Sequence, residues 1–347
     1  MLTVLLGLVV LSLVGALALG IRREPRADGR HTPTTPQPRS APPPSEELLI
    51  INGEAFVNGP HGESAFMESG VRTSFCGIDD IVFDIETGHP RVYETSEGRD
   101  LADFGLVQVA AYPRPTASLI SALCAYLEGR GRPVVNIGHV AVPTKLYQLL
   151  RLAQAGVPVP PTVLFPRRLL HGSYEELRER LGHPFVVKAL NSSGGRLNYL
   201  VRSETEFQLP LLDPTQERTL FVAQSYVPHN GTFRLLVMGG EAPIVMHRCS
   251  TDGTHLTNTE QGGHATLFEP DTFDAEARDM ALRAAALFGF EIAGVNLVQD
   301  RTTGTWQILE VTSNPAIGQG AFAAEKTDAY RAYLSKRLRT QERRTSR

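Results

Sequence analysis

GVNLVQDRTTGTWQILEVTSNP, residues 294–315, is the stretch that decides the fold. Val295, Leu297 and Val298 surround Asn296, Thr302-Thr303-Gly304 reads as a tight turn, and Trp306-Gln307-Ile308-Leu309 leads back to a second polar cluster. The pattern predicts a β-hairpin with chemistry at one end. If Asn296 and Glu310 share a face of paired strands, both reach one small volume, and a carboxylate with amide partners suits a hard cation. An amphipathic hairpin with a solvated Glu310 is the competing reading of this stretch alone.

Upstream, Phe185-Val186-Val187-Lys188 is a strand ending in a lysine, followed by the Ser/Gly loop 191–195, NSSGG. Such a lysine offers charge to phosphate, and the loop's backbone N–H groups can close over its oxygens. Thr144 can cap a helix with Leu146, Leu149 and Leu150 as its apolar stripe and Gly156 as its end. Lys145 then stands in the first turn, where a cation is unfavourable against the helix dipole unless an anion is near. Ser173 and Glu176 suggest a capping box for a helix over 174–181. Residues 221–227, FVAQSYV, read as a strand, and Gly239-Gly240 joins strands over 233–238 and 242–247 in a hairpin. Arg234 and Arg248 are cations on those adjacent apolar strands, a suitable clamp for phosphate or carboxylate. Asn258 precedes a mobile glycine turn, Gly262-Gly263, and an Ala-rich helix over 274–288 leads into the hairpin.

Closer to the N-terminus, 47–138 carries short apolar runs at 48–51, 81–83, 106–110 and 133–136. A helix over 115–127 presents Leu119, Ile120, Leu123 and Leu127. This alternation predicts a small α/β domain. Residues 21–46 include six prolines within 31–45 and predict a semi-rigid spacer. Residues 1–20 hold no charge and are long enough to cross a bilayer. A missing basic n-region favours an uncleaved anchor, while Ala16-Leu17-Ala18 resembles a processing site. Arg22, Arg23 and Arg26 place the following chain in the cytoplasm, a single-pass membrane topology. The last residues, 337–347, read as a basic, solvated tail.

With 347 residues, 42% of them hydrophobic, the chain can bury a large core, and a net charge of −3 gives no field suited to nucleic acid. Its three cysteines show neither metal spacing nor a disulfide framework.

The ordered set from Asn136 to Pro315 resembles the ATP-grasp superfamily, and within it the RimK-like carboxylate–amine ligases. The residues that carry the resemblance are Asn136, Lys145, the GVPVPPT exit at 156–162, Lys188 before SSGG, QSYV at 224–227, and Phe233-Arg234. Arg248, Asn258, Gly262-Gly263, GVNL and LEVTSNP complete them. The resemblance implies an α+β chain, with an α/β domain at 47–138 ahead of a two-lobed ATP-grasp fold at 139–336, and ATP with Mg²⁺ between the lobes. Lys145 and Lys188 would contact phosphates, Ser192, Ser193, Gly194 and Gly195 would cover them, and Gln224, Ser225, Tyr226 and Val227 would frame adenine. Arg234, Arg248 and Asn258 would serve the reacting groups. Glu310, Asn296 and Asn314 would hold the metal, Asn296 and Thr312 standing where such ligases commonly carry an acid and an amide. The partners implied are a carboxylate substrate and an amine acceptor. Weakened or lost catalysis, or phosphotransfer on the same fold, stay open as alternatives.

Overall fold

The computed structural model describes residues 46–51, 71–110, 117–136, 144–190, 192, 195–251, 253–257 and 263–345, all within one compact unit, 41–347. The expected anchor at 1–20, the linker up to 45, and Ser193, Gly194 and Asn258 lie outside the described residues. Among the described residues no helix is long and apolar enough to cross a membrane.

The first part holds β1 (Glu47–Ile51), β2 (Arg72–Cys76), β3 (Ile81–Asp84), β4 (Arg91–Glu94), β5 (Leu106–Val109), α1 (Ala117–Gly129) and β6 (Val134–Val135). Four of the strands make a parallel sheet in the order β2-β1-β5-β6. Such a sheet is buried on both faces, which is why 48–51 is apolar without alternation. Leu49 and Ile51 pack with Ile120, Leu123 and Leu127 of α1, whereas Leu48 and Ile50 face a different core. Leu119, expected on the buried stripe, is 38% exposed. The strand expected at 81–83 stands outside this sheet, in an antiparallel hairpin with β4.

The middle part runs α2 (Lys145–Gln154), β7 (Thr162–Val163), α3 (Arg167–Leu170), α4 (Tyr174–Leu181), β8 (Phe185–Ala189), β9 (Asn198–Val201), α5 (Glu204–Leu212) and β10 (Phe221–Ser225). Its strands form an antiparallel sheet, β7-β10-β8-β9. Strand alternation divides its faces. Phe185, Val187 and Ala189 pack under Leu177 and Leu181 of α4 and Phe207 of α5, while Val186 and Lys188 face a cavity. Two local expectations are corrected here. Leu150 of α2 is 56% exposed, and the buried stripe is Gln148, Leu149 and Leu152. At α4 there is no cap bond from Ser173, whose buried hydroxyl donates instead to Leu170 O at 2.7 Å.

The last part comprises β11 (Thr232–Met238), β12 (Glu241–Cys249), β13 (His264–Phe268), α6 (Ala275–Leu287), β14 (Ile292–Gln299), β15 (Trp306–Thr312) and α7 (Ala323–Thr345). Five antiparallel strands follow the order β13-β12-β11-β14-β15. Gly239 and Gly240, at φ 62° and 85°, supply the left-handed pair that a two-residue hairpin needs. Leu235, Val237, Ala293, Val295 and Leu297 bury against α6, while Leu236, Met238 and Ile292 bury on the opposite face with Tyr330 and Leu334 of α7. The basic end is helix rather than free tail: α7 runs to Thr345, Leu338 is buried and Arg337 Nε pairs with Glu291 at 3.0 Å.

Asn136, in a left-handed conformation at φ 62°, ties the parallel sheet to the five-stranded one. Its buried amide donates to Ile292 O and accepts from Ile292 N, both at 2.8 Å. It is therefore a structural clamp, satisfying the backbone where β14 begins.

Candidate active site

A cavity of about 490 Å³ is lined by residues of the four-stranded and the five-stranded antiparallel sheets, and every described residue proposed for the site from the sequence borders it. Its first wall is the open face of the four-stranded sheet. Lys188 Nζ donates to Gln224 Oε1 at 2.7 Å, Gln224 Nε2 donates to Thr162 Oγ1 at 2.7 Å, and the Thr162 hydroxyl donates to Pro160 O at 2.8 Å. A single cation is thus held by a chain of neutral partners. Burial pushes Lys188 down to about 8; Glu310 opposes the shift and Lys145 adds to it.

Lys145 lies in the first turn of α2, as expected, with Thr144 accepting from Tyr147 N at 3.3 Å. Its ammonium donates to Ser192 O, which joins the start of α2 to the loop after β8. Gly195 borders the cavity at φ 77°. At the exit of β10, Ser225 N donates to Pro161 O at 2.9 Å, and Tyr226 and Val227 continue along the cavity edge.

The second wall is the polar end of the five-stranded sheet, where register brings distant residues opposite one another. Thr232 pairs with Arg248, Arg234 with Asn296, and Asn296 with Glu310. A register shift follows, since Leu297 pairs with Ile308. The extra residue turns Leu309 and Glu310 together toward the cavity while Ile308 and Val311 both stay in the α6 core, as a β-bulge does. Arg234 Nη1 and Arg248 Nη2 donate to Asn296 Oδ1 at 2.9 and 3.1 Å, and Asn296 Nδ2 donates to Glu310 Oε2 at 3.3 Å. The expected meeting of Asn296 and Glu310 on one face is therefore what the structure shows.

The same geometry corrects Asn296 as a metal ligand. Its only ligating atom receives two guanidinium donors, so a cation there would meet two like charges. Glu310 keeps a carboxylate on the cavity, and Asn314 lines it from the turn after β15, where Asn314 N donates to Thr312 Oγ1 at 3.2 Å. Among the described lining residues there are six cationic side chains, Lys145, Lys188, Arg196, Arg234, Arg248 and Lys326, against the one carboxylate of Glu310. Such a surplus fits a multiply charged anion. A divalent ion fits beside Glu310 if the anion contributes oxygens, because Mg²⁺ binds through one or two carboxylates plus phosphates.

Sequence reasoning missed Lys326. It is 4% exposed at the start of α7, borders the cavity, and donates to Ala316 O at 3.0 Å and to Gln319 O. Burial pushes it down to about 8, reinforced by Arg234 and opposed by Glu325. The signal available was the one that singled out Lys145, a cation in the first turn of a helix. Thr232 and Thr257 were missed as a pair; their buried hydroxyls meet at 2.6 Å, and Thr232 Oγ1 accepts from Arg248 Nη2 at 3.5 Å. His255, also on the cavity, reaches Asn198 Oδ1 at 3.2 Å.

Comparison with known proteins matches residues 144–329 to the RimK-like ATP-grasp domain. The chain is 25% identical to beta-citrylglutamate synthase B of Danio rerio over 260 residues, covering 72% of this chain and 61% of that protein. It is 29% identical to the alpha-aminoadipate–LysW ligase LysX of Sulfolobus acidocaldarius over 178 residues, 49% of this chain and 61% of the relative. The chain thus spans about three-fifths of the length of these curated relatives. In fold it resembles the ATP-grasp ligase PsnB solved with a precursor variant, Mg and ADP. The TM-score is 0.63 at 13% identity, covering 86% of this chain and 98% of that one. A RimK domain ATP-grasp protein from Sphaerobacter thermophilus gives a TM-score of 0.55 at 16% identity, covering 84% and 98%.

Proposed function

Since the chain belongs to the RimK-like ATP-grasp family, we propose that it is an ATP- and Mg²⁺-dependent carboxylate–amine ligase. The observation that carries this reading is the cavity wall on which Arg234, Asn296 and Glu310 stand in one cross-strand row, with Arg248 reaching Asn296 from the neighbouring Thr232 pair, facing Lys188 on the other sheet. A substrate carboxylate oxygen attacks the γ-phosphorus of ATP and ADP leaves. An amine then attacks the acyl carbon, phosphate leaves with the bonding electrons, and the nitrogen sheds a proton to give the amide. Lys145 and Lys188 bind the phosphates, the edge at Ser225–Val227 seats the base, and Arg234 and Arg248 hold the transferred phosphoryl group and the carboxylate in line. Glu310 would hold a magnesium ion, which would supply charge neutralisation to the phosphates. No protein nucleophile is required.

The proposal extends to location. Residues 1–20 would anchor the chain as a single span, with the ligase at the cytoplasmic membrane face. Their apolar run and the arginines at 22, 23 and 26 support that reading. A nucleotide-binding protein with weakened turnover is the second reading, favoured by the neutral Asn296 on the metal side of the wall.

Magnesium-dependent release of ADP from ATP, assayed with pooled carboxylates and amines, separates the two. ATP binding without ADP release from any pool removes the ligase reading. Glu310→Gln is expected to lower turnover by roughly 10²-fold or more, measured as the same ADP release, because it removes the carboxylate that faces Lys188.

A further inference from the structure

We propose that Asn296 makes this a one-ion site: the bound nucleotide takes a single divalent ion, beside Glu310, and Arg234 and Arg248 supply the charge that a second ion would bring. The inference rests on the nucleotide reading above and deepens it.

The amide of Asn296 is 9% exposed and is oriented by all its partners at once. Its oxygen takes N–H groups from Arg234 at 2.9 Å and Arg248 at 3.1 Å, and its nitrogen donates to Glu310 at 3.3 Å. The reverse orientation would set an NH₂ against two guanidiniums and an oxygen against a carboxylate, so the network fixes this one. Asn296 consequently offers donors to the acid and an acceptor to the bases, and no atom to a cation. A divalent ion must find oxygens elsewhere, and Glu310 is the one carboxylate among the described lining residues. Asn314, which also lines the cavity, can add a neutral amide oxygen beside Glu310 but no second negative charge to hold a second ion.

An aspartate at 296 would reverse this arrangement. One of its oxygens would still accept from the guanidiniums, and the other would face Glu310 across the distance now spanned by the amide nitrogen. Two carboxylates that close repel unless a proton or a cation lies between them. Asn296→Asp therefore creates the seat for a second ion, while the wild-type amide fills that seat with a hydrogen bond.

The test counts ions. The full-length chain is saturated with AMP-PNP and titrated with Mn²⁺, with free Mn²⁺ read by electron paramagnetic resonance. One tight Mn²⁺ per wild-type complex and two per Asn296→Asp complex are expected. Chelating the metal should also weaken analogue binding more in Asn296→Asp than in wild type. Two tight ions in the wild-type complex overturn the inference, as does a count of one in both proteins. Should Asn296→Asp fail to fold, the wild-type count still decides, one ion supporting and two refuting. If AMP-PNP does not bind the folded wild-type chain, the nucleotide reading falls and takes this inference with it; if it binds with two ions, only this inference falls.

Discussion

The two walls of the cavity hold their charges in different ways. On the four-stranded sheet one ammonium, Lys188, leans on a line of neutral groups, Gln224 and then Thr162, and no cross-strand ion pair is needed. On the five-stranded sheet two guanidiniums share one amide oxygen, and the amide reaches on to a carboxylate. The first wall keeps a cation that burial makes less willing to stay charged. The second spreads charge over four side chains whose hydrogen bonds are charge-assisted. A ligand anion would therefore gain most in affinity at Lys188, and gain orientation at the arginine wall.

Replacing the lone cation breaks this contrast most severely. Lys188→Met is expected to weaken ATP-analogue binding by roughly 10²-fold, measured by calorimetry, while raising Tm at pH 7. The sign follows from linkage. The folded value of about 8 lies below the ordinary lysine value, so between the two the unfolded chain binds more protons and stability rises with pH. Below about 8 the burial cost is present in full, and Met removes it. The Tm advantage of Lys188→Met should accordingly shrink as pH rises above about 8. A variant that loses both affinity and stability at pH 7 would show that Lys188 is structural. Lys326, pushed down to about 8 as well, remains in both proteins and leaves the difference between them unaffected.

The arginine wall is broken more gently through Gly294. A Cβ there would stand 2.6 Å from Arg234 Nη2 and 3.0 Å from Pro315 Cβ, so the guanidinium has to move off Asn296. Gly294→Ala is expected to cost about 1–3 kcal/mol of stability, read by denaturant unfolding, and about tenfold in analogue affinity. Because Arg248 keeps its own bond to Asn296, the loss should stay well short of that for Lys188→Met. Equal losses would mean that the two walls contribute alike.

Chemistry on each wall was legible in the sequence, but its partners were not. Lys188 at the end of an apolar strand and arginines within apolar strands stand out locally, because such residues are rare where side chains alternate into a core. Which residue faces which depends on register, and register between β11 and β14 joins residues far apart in the chain. The bulge that turns Glu310 beside Leu309 has no local signature, since each residue there is ordinary for a strand. Lys326 escaped notice because its burial depends on α7 packing beneath the sheet. Ser173 and Leu150 show the opposite failure: both obey local rules for a cap and a stripe, yet the Ser173 hydroxyl turns back to Leu170 O three residues earlier and Leu150 stays exposed.

The smallest predicted effect sharpens the contrast from the neutral side. Thr162 touches the cation only through Gln224, so Thr162→Val leaves the Lys188–Gln224 bond intact and removes the acceptor behind it. The variant loses two hydrogen bonds, the one from Gln224 Nε2 and the one to Pro160 O, at about 1 kcal/mol each, and the loosened Gln224 should weaken analogue binding by roughly two- to fivefold. The pH at which affinity begins to fall should not move, because burial rather than Thr162 lowers the lysine. Affinity measured from pH 6 to 10 for both proteins checks this. Parallel curves offset by a constant factor are expected if Gln224 only orients the ammonium, whereas a shifted midpoint would mean that the neutral chain also sets its charge.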